Sequence, residues 1–141
     1  MNSLKEITEQ HYQAAIEKRV ADILDNYVKS EELYVFVEGP RWATVGYENV
    51  AKGWADFCDS PIFLEKVEWI EGPRSEISGD MGWIGGQVEL TVRIKGETKT
   101  IRFRGTFVMR LEPDGKWRVI HEHFSQPAAD PYGIGDWLKT N

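Results

Sequence analysis

The stretch that decides the fold is Trp117-Arg118-Val119-Ile120-His121-Glu122-His123-Phe124-Ser125-Gln126-Pro127. It is rich in β-branched and aromatic residues, which favour extended strands. The turn Pro113-Asp114-Gly115 precedes it and Pro127 closes it, so the sequence predicts a strand with defined ends.

Side chains on this predicted strand alternate between two faces, because successive Cβ atoms of a strand point to opposite sides. His121 and His123 therefore share one face, and Glu122 lies on the other with Ile120 and Phe124. Both faces combine polar and large apolar groups, which is not the pattern of a plain solvent side. We expect one face to line a pocket and the other to form a protein interface.

The composition predicts one globular domain. A chain of 141 residues, of which 41% are hydrophobic, is long enough to bury a core. Its formal charge of −6 disfavours a nucleic-acid partner, since neutralising phosphates requires clustered Lys and Arg. Arg102, Arg104 and Arg110 share one strand face, but three residues of one sign are typical of a solvated or interface stripe.

The single cysteine and the lack of long apolar runs bear on location. Cys58 has no partner for an internal disulfide, which fits a reducing compartment. No window approaches the roughly 20 apolar residues that span a bilayer. We therefore expect a cytoplasmic protein that makes no membrane contact.

The order of elements predicts an α+β fold. Residues 3–28 contain no Gly or Pro and begin with a capping box, Ser3 and Glu6, so we expect two helices or one kinked helix. A short strand (Glu32–Glu38), a loop around Trp42 and a helix (Tyr47–Cys58) follow. Extended segments joined by short turns then predict an antiparallel meander, with a bend at Gly72-Pro73, over residues 62–77, 81–95, 98–111 and 117–125. Helices first and strands afterwards predict helices packed on one face of a bent sheet of five to six strands.

The last hairpin, Gly115-Lys116-Trp117 through Ser125-Gln126-Pro127, together with three helices and a bent meander, resembles a known group. It is similar to the nuclear transport factor 2-like superfamily, the cystatin-like cone shared with ketosteroid isomerase. Within it, the chain resembles SnoaL-like domains and the association domain of calcium/calmodulin-dependent kinase II. The resemblance covers about residues 3–127, so we expect a SnoaL-like domain over 1–127 and a tail, 128–141, that docks on the domain or on a partner subunit.

This resemblance implies a pocket inside the cone and assigns residues to it. It places Trp83, Gly85, Gln87 and Glu89 of one strand inside. The implied ligand contacts are Trp54, Trp83, Gln87, Phe103, Phe107 and Phe124. The implied catalytic groups are Glu122 or Glu89 as proton shuttle and Tyr12 as hydrogen-bond donor. Arginines are typical of the association domain at the positions of Glu89, Phe107 and Phe124, so we expect a neutral or cationic, largely apolar guest instead of an anion.

The resemblance also implies a homodimer through the convex sheet face. The residues expected there are Val88, Leu90, Val92, Val108, Val119 and His121, with Arg104 as a polar partner. An exposed apolar stripe of that kind marks an association site.

Two function classes remain open. The first is a small-molecule isomerase, lyase or cyclase, and the second is a non-catalytic ligand-binding or association module. The isomerases carry a carboxylate base just after the first strand, but that position falls on Gly39, with Glu38 one residue away. His121 and His123 could both reach one metal ion, yet no third ligand is suitably spaced, so we expect no metal and no cofactor.

Overall fold

The computed structural model describes residues 3–37 and 39–138. In these ranges the helices are α1 (Leu4–Ile16), α2 (Val20–Leu24) and α3 (Tyr47–Cys58). The strands are β1 (Tyr34–Phe36), β2 (Thr44–Val45), β3 (Ile62–Ser78), β4 (Met81–Ile94), β5 (Glu97–Leu111) and β6 (Trp117–Ser125). The α+β prediction is confirmed, with α1 and α2 as separate helices.

The first helix begins where the sequence predicts. The Ser3 hydroxyl oxygen accepts a hydrogen bond from the backbone N–H of Glu6 at 3.2 Å, which satisfies one of the free donors of the first turn. After Ile16 the chain passes through Lys18, whose φ of 54° is left-handed and cannot continue a helix. This break separates α1 from α2.

The strands form one sheet in the order β2-β1-β6-β5-β4-β3. The four long strands are antiparallel neighbours, as predicted, whereas β1 lies parallel to β6. The first strand is shorter than the predicted Glu32–Glu38, and Glu38 lies outside the described residues. The prediction of a plain loop before α3 is wrong at Thr44 and Val45, which pair with β1.

The expected bend at Gly72-Pro73 is present as a break in the pairing of β3 with β4. The register shifts between Trp69 and Glu71 and again between Glu71 and Arg74. A Cβ at Gly86, on the facing strand, would lie 2.5 Å from the Glu71 carbonyl oxygen. Only glycine lets the two backbones approach this closely at the bend.

The inner face of the sheet, which the helices cover, is defined by cross-strand partners. Phe107 lies opposite both Ile84 and Glu122, and Phe103 lies opposite Val88. All five of these side chains are buried. Cross-strand partners share a face, so the even-numbered residues of β4 line the core.

This register corrects the predicted orientation of β4. Trp83, Gln87 and Glu89 lie on the outer face, and Trp83 remains 39% exposed. Val88, Leu90 and Val92, expected on the convex face, instead belong to the inner face, where Val88 and Val92 are buried. The cause is the two-residue period of a strand: a matching error of one residue moves every side chain to the opposite face.

A β-bulge in β6 corrects the predicted orientation of two of its residues. The register shifts after the pair Val108 and His121, so that Met109 lies opposite Val119 and Ile120 is the extra residue. Val119 is buried in the core and does not face outwards, and Ile120 does not take its predicted place beside Glu122.

The described part of the tail leaves two of its large apolar side chains exposed. Trp137 is 63% exposed and Leu138 is 57% exposed. Docking of the tail on the domain or on a partner subunit stays a prediction. Within the two described ranges, no helix is long and apolar enough to cross a membrane.

Candidate functional site

A cavity of about 620 Å³ lies between α1, α3 and the inner face of the sheet. Its volume falls within the range of small-molecule sites. Most of its deep wall is aromatic or aliphatic, with contributions from Phe107, Phe124, Leu64, Val67 and Leu90. Polar groups of the β1–α3 region, among them Arg41, Asn49, Lys52 and Asp56, contribute exposed side chains to the lining.

One carboxylate lies on the buried wall of this cavity. Glu122 is only 3% exposed, and β6 places it opposite Phe107. The Tyr27 hydroxyl donates a hydrogen bond to Glu122 Oε1 at 2.6 Å. The indole Nε1–H of Trp54 donates in turn to the Tyr27 hydroxyl oxygen at 3.0 Å. The three side chains form a buried relay from α3 to β6 that fixes the orientation of the carboxylate.

The electrostatics of this relay follow from its burial. Tyr27 is almost fully enclosed, and burial raises the pKa of its hydroxyl well above the usual value. The negative charge of Glu122 and the hydrogen bond between the two groups raise that pKa further. Tyr27 therefore stays protonated and acts as a donor to Glu122 throughout the physiological pH range.

His11 is a further buried ionisable group at the cavity. Its ring lies 5.5 Å from that of Tyr27, 5.6 Å from Trp54 and 5.9 Å from Phe107, measured between centroids, in edge-to-face arrangements. Desolvation by burial lowers the pKa of His11 to about 4. The imidazole is thus neutral near pH 7. Its Nδ1 lies 3.0 Å from Nδ2 of Asn26.

The structure brings together part of the site implied by the sequence. Glu122, Tyr12, Trp54, Phe107 and Phe124 all line the cavity. Their catalytic or binding roles stay predictions.

Four other predicted residues lie elsewhere. Phe103 is buried in the core beside Val88 and does not line the cavity. The expectation that Trp83, Gln87 and Glu89 point into the cone is wrong, because the register of β4 places them on the outer face.

Their contacts on that face are ordinary surface contacts. Glu89 lies opposite Arg102 and Glu68, and the Gln87 side-chain oxygen accepts from Arg102 Nη2. Glu89 therefore cannot pair with Glu122 in one pocket.

Sequence reasoning missed Tyr27, His11 and Asn26 as site residues. Tyr27 fits an apolar helical spacing, and nothing in its neighbourhood in the sequence marks a hydrogen bond to a residue 95 positions away. His11 offered a weak signal, since a histidine on the otherwise apolar face of α1 needs a polar partner.

The two other histidines lie on the outer face, where the resemblance implied His121. His121 Nδ1 donates to the Tyr34 carbonyl oxygen at 2.7 Å, and its ring lies 5.2 Å from that of Phe36. His123 is exposed, with its ring 5.1 Å from Phe36. In the part of the chain that is described, no group of three His, Cys, Asp or Glu side chains could hold a metal ion.

Gly39, the position at which the resemblance implied a carboxylate base, has no side chain that could accept a proton. The neighbouring Glu38 lies outside the described residues. The buried acid of this cavity is instead Glu122, on the last strand.

Helices closing a curved six-stranded sheet around a cavity define a nuclear transport factor 2-like cone, and comparisons with known proteins agree. The sequence profile of the SnoaL-like domain family matches residues 4–129. The chain belongs to the SnoaL-like domain family.

Solved structures share this fold at low sequence identity. A nuclear transport factor 2-like superfamily protein from Salmonella enterica serovar Typhimurium is 18% identical, covers 93% of each chain and has a TM-score of 0.77. A ketosteroid isomerase-like protein from Erwinia carotovora atroseptica is 13% identical over 86% of this chain and 91% of its own, with a TM-score of 0.71.

A third structure is named as a calcium/calmodulin-dependent protein kinase II association domain, from Xanthomonas campestris. It is 17% identical over 88% of this chain and 87% of its own, with a TM-score of 0.71. No curated protein matches this chain significantly. At these identities the likeness establishes the fold alone, and the names span both catalytic and association roles.

Proposed function

We propose that this protein binds a small, largely apolar molecule in the cavity and catalyses proton transfer on it, with Glu122 as the proton acceptor. The observation that carries this proposal is a carboxylate 3% exposed on the wall of a 620 Å³ cavity. The reaction class is an isomerisation, elimination or cyclisation that begins with removal of a proton.

The surroundings of Glu122 suit a general base. Glu122 is only 3% exposed and lies opposite Phe107, so its carboxylate is shielded from bulk water. The hydrogen bond from Tyr27 to Oε1 holds the group in one orientation, as proton transfer in a fixed geometry requires. Tyr12 lies on the same cavity wall and is the proposed hydrogen-bond donor to the ligand.

The lining sets the class of ligand. Phe107 and Phe124, with ring centroids 5.3 Å apart, contribute an apolar wall beside Glu122. An anion would be repelled by the buried carboxylate, whereas a neutral or cationic apolar molecule would not. These features support a neutral or cationic guest with few polar groups.

A nitrobenzisoxazole tests proton transfer without knowledge of the natural substrate. This neutral aromatic compound opens to a coloured phenolate when a base removes its one acidic C–H proton. We expect the protein to accelerate the reaction and Glu122→Gln to lower the rate by about 10²- to 10⁴-fold, the usual contribution of a general base.

Glu89→Gln is the matched control, since it removes a carboxylate from the outer face of the same sheet. It should leave the rate unchanged. Equal rates for Glu122→Gln and the parent protein would refute the catalytic role. Binding of the compound without turnover would refute the catalytic role and support a ligand-binding function.

The outer face supports the second function class, association of two copies. Tyr34, Phe36 and His121 form an aromatic cluster there, and Trp83 and Val108 extend it across β4 and β5. We propose that this face forms a homodimer interface, with Arg104 as a polar partner. The compartment proposed for this dimer is the cytoplasm, supported by the single cysteine.

A further inference from the structure

We propose that the β1–β2 hairpin closes over a guest in the cavity by extending its pairing to Val37 and Trp42, so that Trp42 becomes a ligand contact. The closure rests on the proposed function, since the guest is the apolar molecule bound beside Glu122. It assigns a residue that holds the guest and a movement that encloses it.

Trp42 makes almost no contact with the rest of the chain. It is 96% exposed, more than any other large apolar residue of the described ranges. The residues on either side of it, Arg41 and Ala43, both line the cavity. A tryptophan left in water forgoes a large hydrophobic gain, and this one lies at the rim of an apolar cavity. Its position and exposure suit a cover for the mouth.

The register of the hairpin gives the closed position of Trp42. The last pair of β1 and β2 joins Val35 to Thr44. Continuing the same antiparallel register by two residues on each strand places Val37 opposite Trp42. The hairpin thus closes by lengthening a ladder that already exists, with Gly39 in the turn at its tip.

This new pair falls at a hydrogen-bonded position of the ladder. The Gly46 N–H donates to the Leu33 carbonyl oxygen at 2.7 Å, at the base of the hairpin. Hydrogen-bonded pairs recur at every second residue of an antiparallel ladder. Counting from Leu33 and Gly46, Val37 and Trp42 form such a pair. Closure therefore adds backbone hydrogen bonds to both residues.

The new pair would face the cavity. Val35 is buried and lies beside Glu122 in the parallel pairing of β1 with β6. Val37 shares that face, because it lies two residues further along β1, and it lines the cavity. Cross-strand partners share a face, so Trp42 would lie on the cavity side as well. It would continue the aromatic wall at Phe124 across the mouth.

The tip of the hairpin is free to move, whereas its base is anchored. Gly39 has a φ of 128°, and a Cβ there would meet nothing within 4 Å. A glycine in open space crosses between backbone conformations readily. Gly46 is held to Leu33 by the backbone hydrogen bond. The movement is therefore located at residues 39–43.

A guest favours the closed form because only this form brings Trp42 into contact with it. A ligand shifts a conformational equilibrium by the difference between its affinities for the two forms. Over an empty cavity the indole ring gains no partner. Over an apolar guest it loses water and gains a ring contact.

Amide exchange with water, followed by NMR on the whole protein, measures the closure. The probe is 1,2-benzisoxazole, the compound of the rate assay without its nitro group, which opens far more slowly. At saturation we expect the Trp42 amide to exchange about tenfold more slowly, the scale of one net hydrogen bond. The indole resonance of Trp54, which lines the cavity, reports that the probe is bound.

The Trp137 amide, in the exposed tail, is the internal control and should exchange at the same rate with and without the probe. A Trp54 shift without slower exchange at Trp42 would overturn the closure. Equal protection of the Trp42 amide with and without the probe would also overturn it, since the hairpin would then be closed beforehand.

Trp42→Ala tests the contact itself. Titration calorimetry should show the dissociation constant of 1,2-benzisoxazole rising about tenfold, the scale of one aromatic ring contact. Trp42→Phe keeps a ring and should retain most of the affinity. Trp137→Ala is the matched control, because it removes an exposed tryptophan outside the cavity, and it should leave the affinity unchanged. Equal affinities of Trp42→Ala and the parent protein would overturn the contact.

The outcomes separate the closure from the proposed function. An unaffected Trp42→Ala variant, with Glu122-dependent opening of the nitrobenzisoxazole intact, would overturn the closure alone. Light scattering that shows a single chain mass for Trp42→Ala and twice that mass for the parent protein would assign Trp42 to an interface between copies and overturn its role as a cover. No Trp54 response at millimolar probe, together with no opening of the nitrobenzisoxazole, would refute both proposals.

Discussion

Replacing Tyr27 with Phe removes one oxygen atom from the centre of the buried relay. That oxygen donates to Glu122 at 2.6 Å and accepts from Trp54 at 3.0 Å. A hydrogen bond to a buried charged group contributes about 1.5–3 kcal/mol, and the half-buried Trp54 N–H would lose about 1 kcal/mol more. We therefore expect Tyr27→Phe to lower the free energy of unfolding by about 3 kcal/mol.

Thermal and urea unfolding followed by circular dichroism measure this loss. For a chain of this size about 3 kcal/mol corresponds to a fall of roughly 10 °C in the melting temperature. Tyr132→Phe is the matched control, because Tyr132 is 73% exposed. Its free energy of unfolding should stay within about 0.5 kcal/mol of the parent value.

A double-mutant cycle separates the hydrogen bond from packing. In Tyr27→Phe the Glu122 carboxylate stays buried and loses the hydrogen bond from Tyr27, whereas Tyr27→Phe with Glu122→Leu removes the charge as well. We expect the double variant to be more stable than Tyr27→Phe alone. A Tyr27→Phe variant as stable as the parent, or strictly additive single effects, would refute the relay.

Three further predictions concern pH, packing and association. The folded-state pKa of His11, about 4, lies below its ordinary 6.5, so the unfolded chain binds the extra proton between these values. The free energy of unfolding therefore has its full value above about pH 6.5 and falls by about 3 kcal/mol as the pH is lowered to about 4. Acid unfolding curves of His11→Leu should lack this fall. Gly105→Ala would place a Cβ 2.5 Å from the Phe124 ring and should lower the free energy of unfolding by about 1–3 kcal/mol. Gly53→Ala, which meets open space in α3, should raise it by about 0.5–1 kcal/mol. Equal melting temperatures of the two variants would contradict this packing. Light scattering should give about twice the 16.2 kDa chain mass, falling to one chain in Val108→Glu, and a monomeric parent protein would rule out the dimer.

Local chemistry made most elements predictable. Ser3 and Glu6 start α1 through contacts within one turn, and the spacing of apolar residues outlines Tyr47–Cys58 as a helix with the bounds that the structure gives. The bend at Gly72-Pro73 is equally local. The side-chain orientation of β4 was not predictable from local sequence, because Trp83 and Ile84 both suit a strand. Only the pairing of Ile84 with Phe107 decides which of the two is buried.

The sequence by itself determined the fold class, the family and Glu122 as the acid of interest. The fold class follows from periodicity, turns and capping, whose energies act between residues close together in the chain, whereas the family and the choice of Glu122 follow from the resemblance of the last hairpin. Only the tertiary structure joined Tyr27 and Trp54 to Glu122, placed His11 against Asn26 and moved Glu89 to the outer face. A hydrogen bond across 95 residues depends on strand register and helix position together, and neither is encoded in any single stretch.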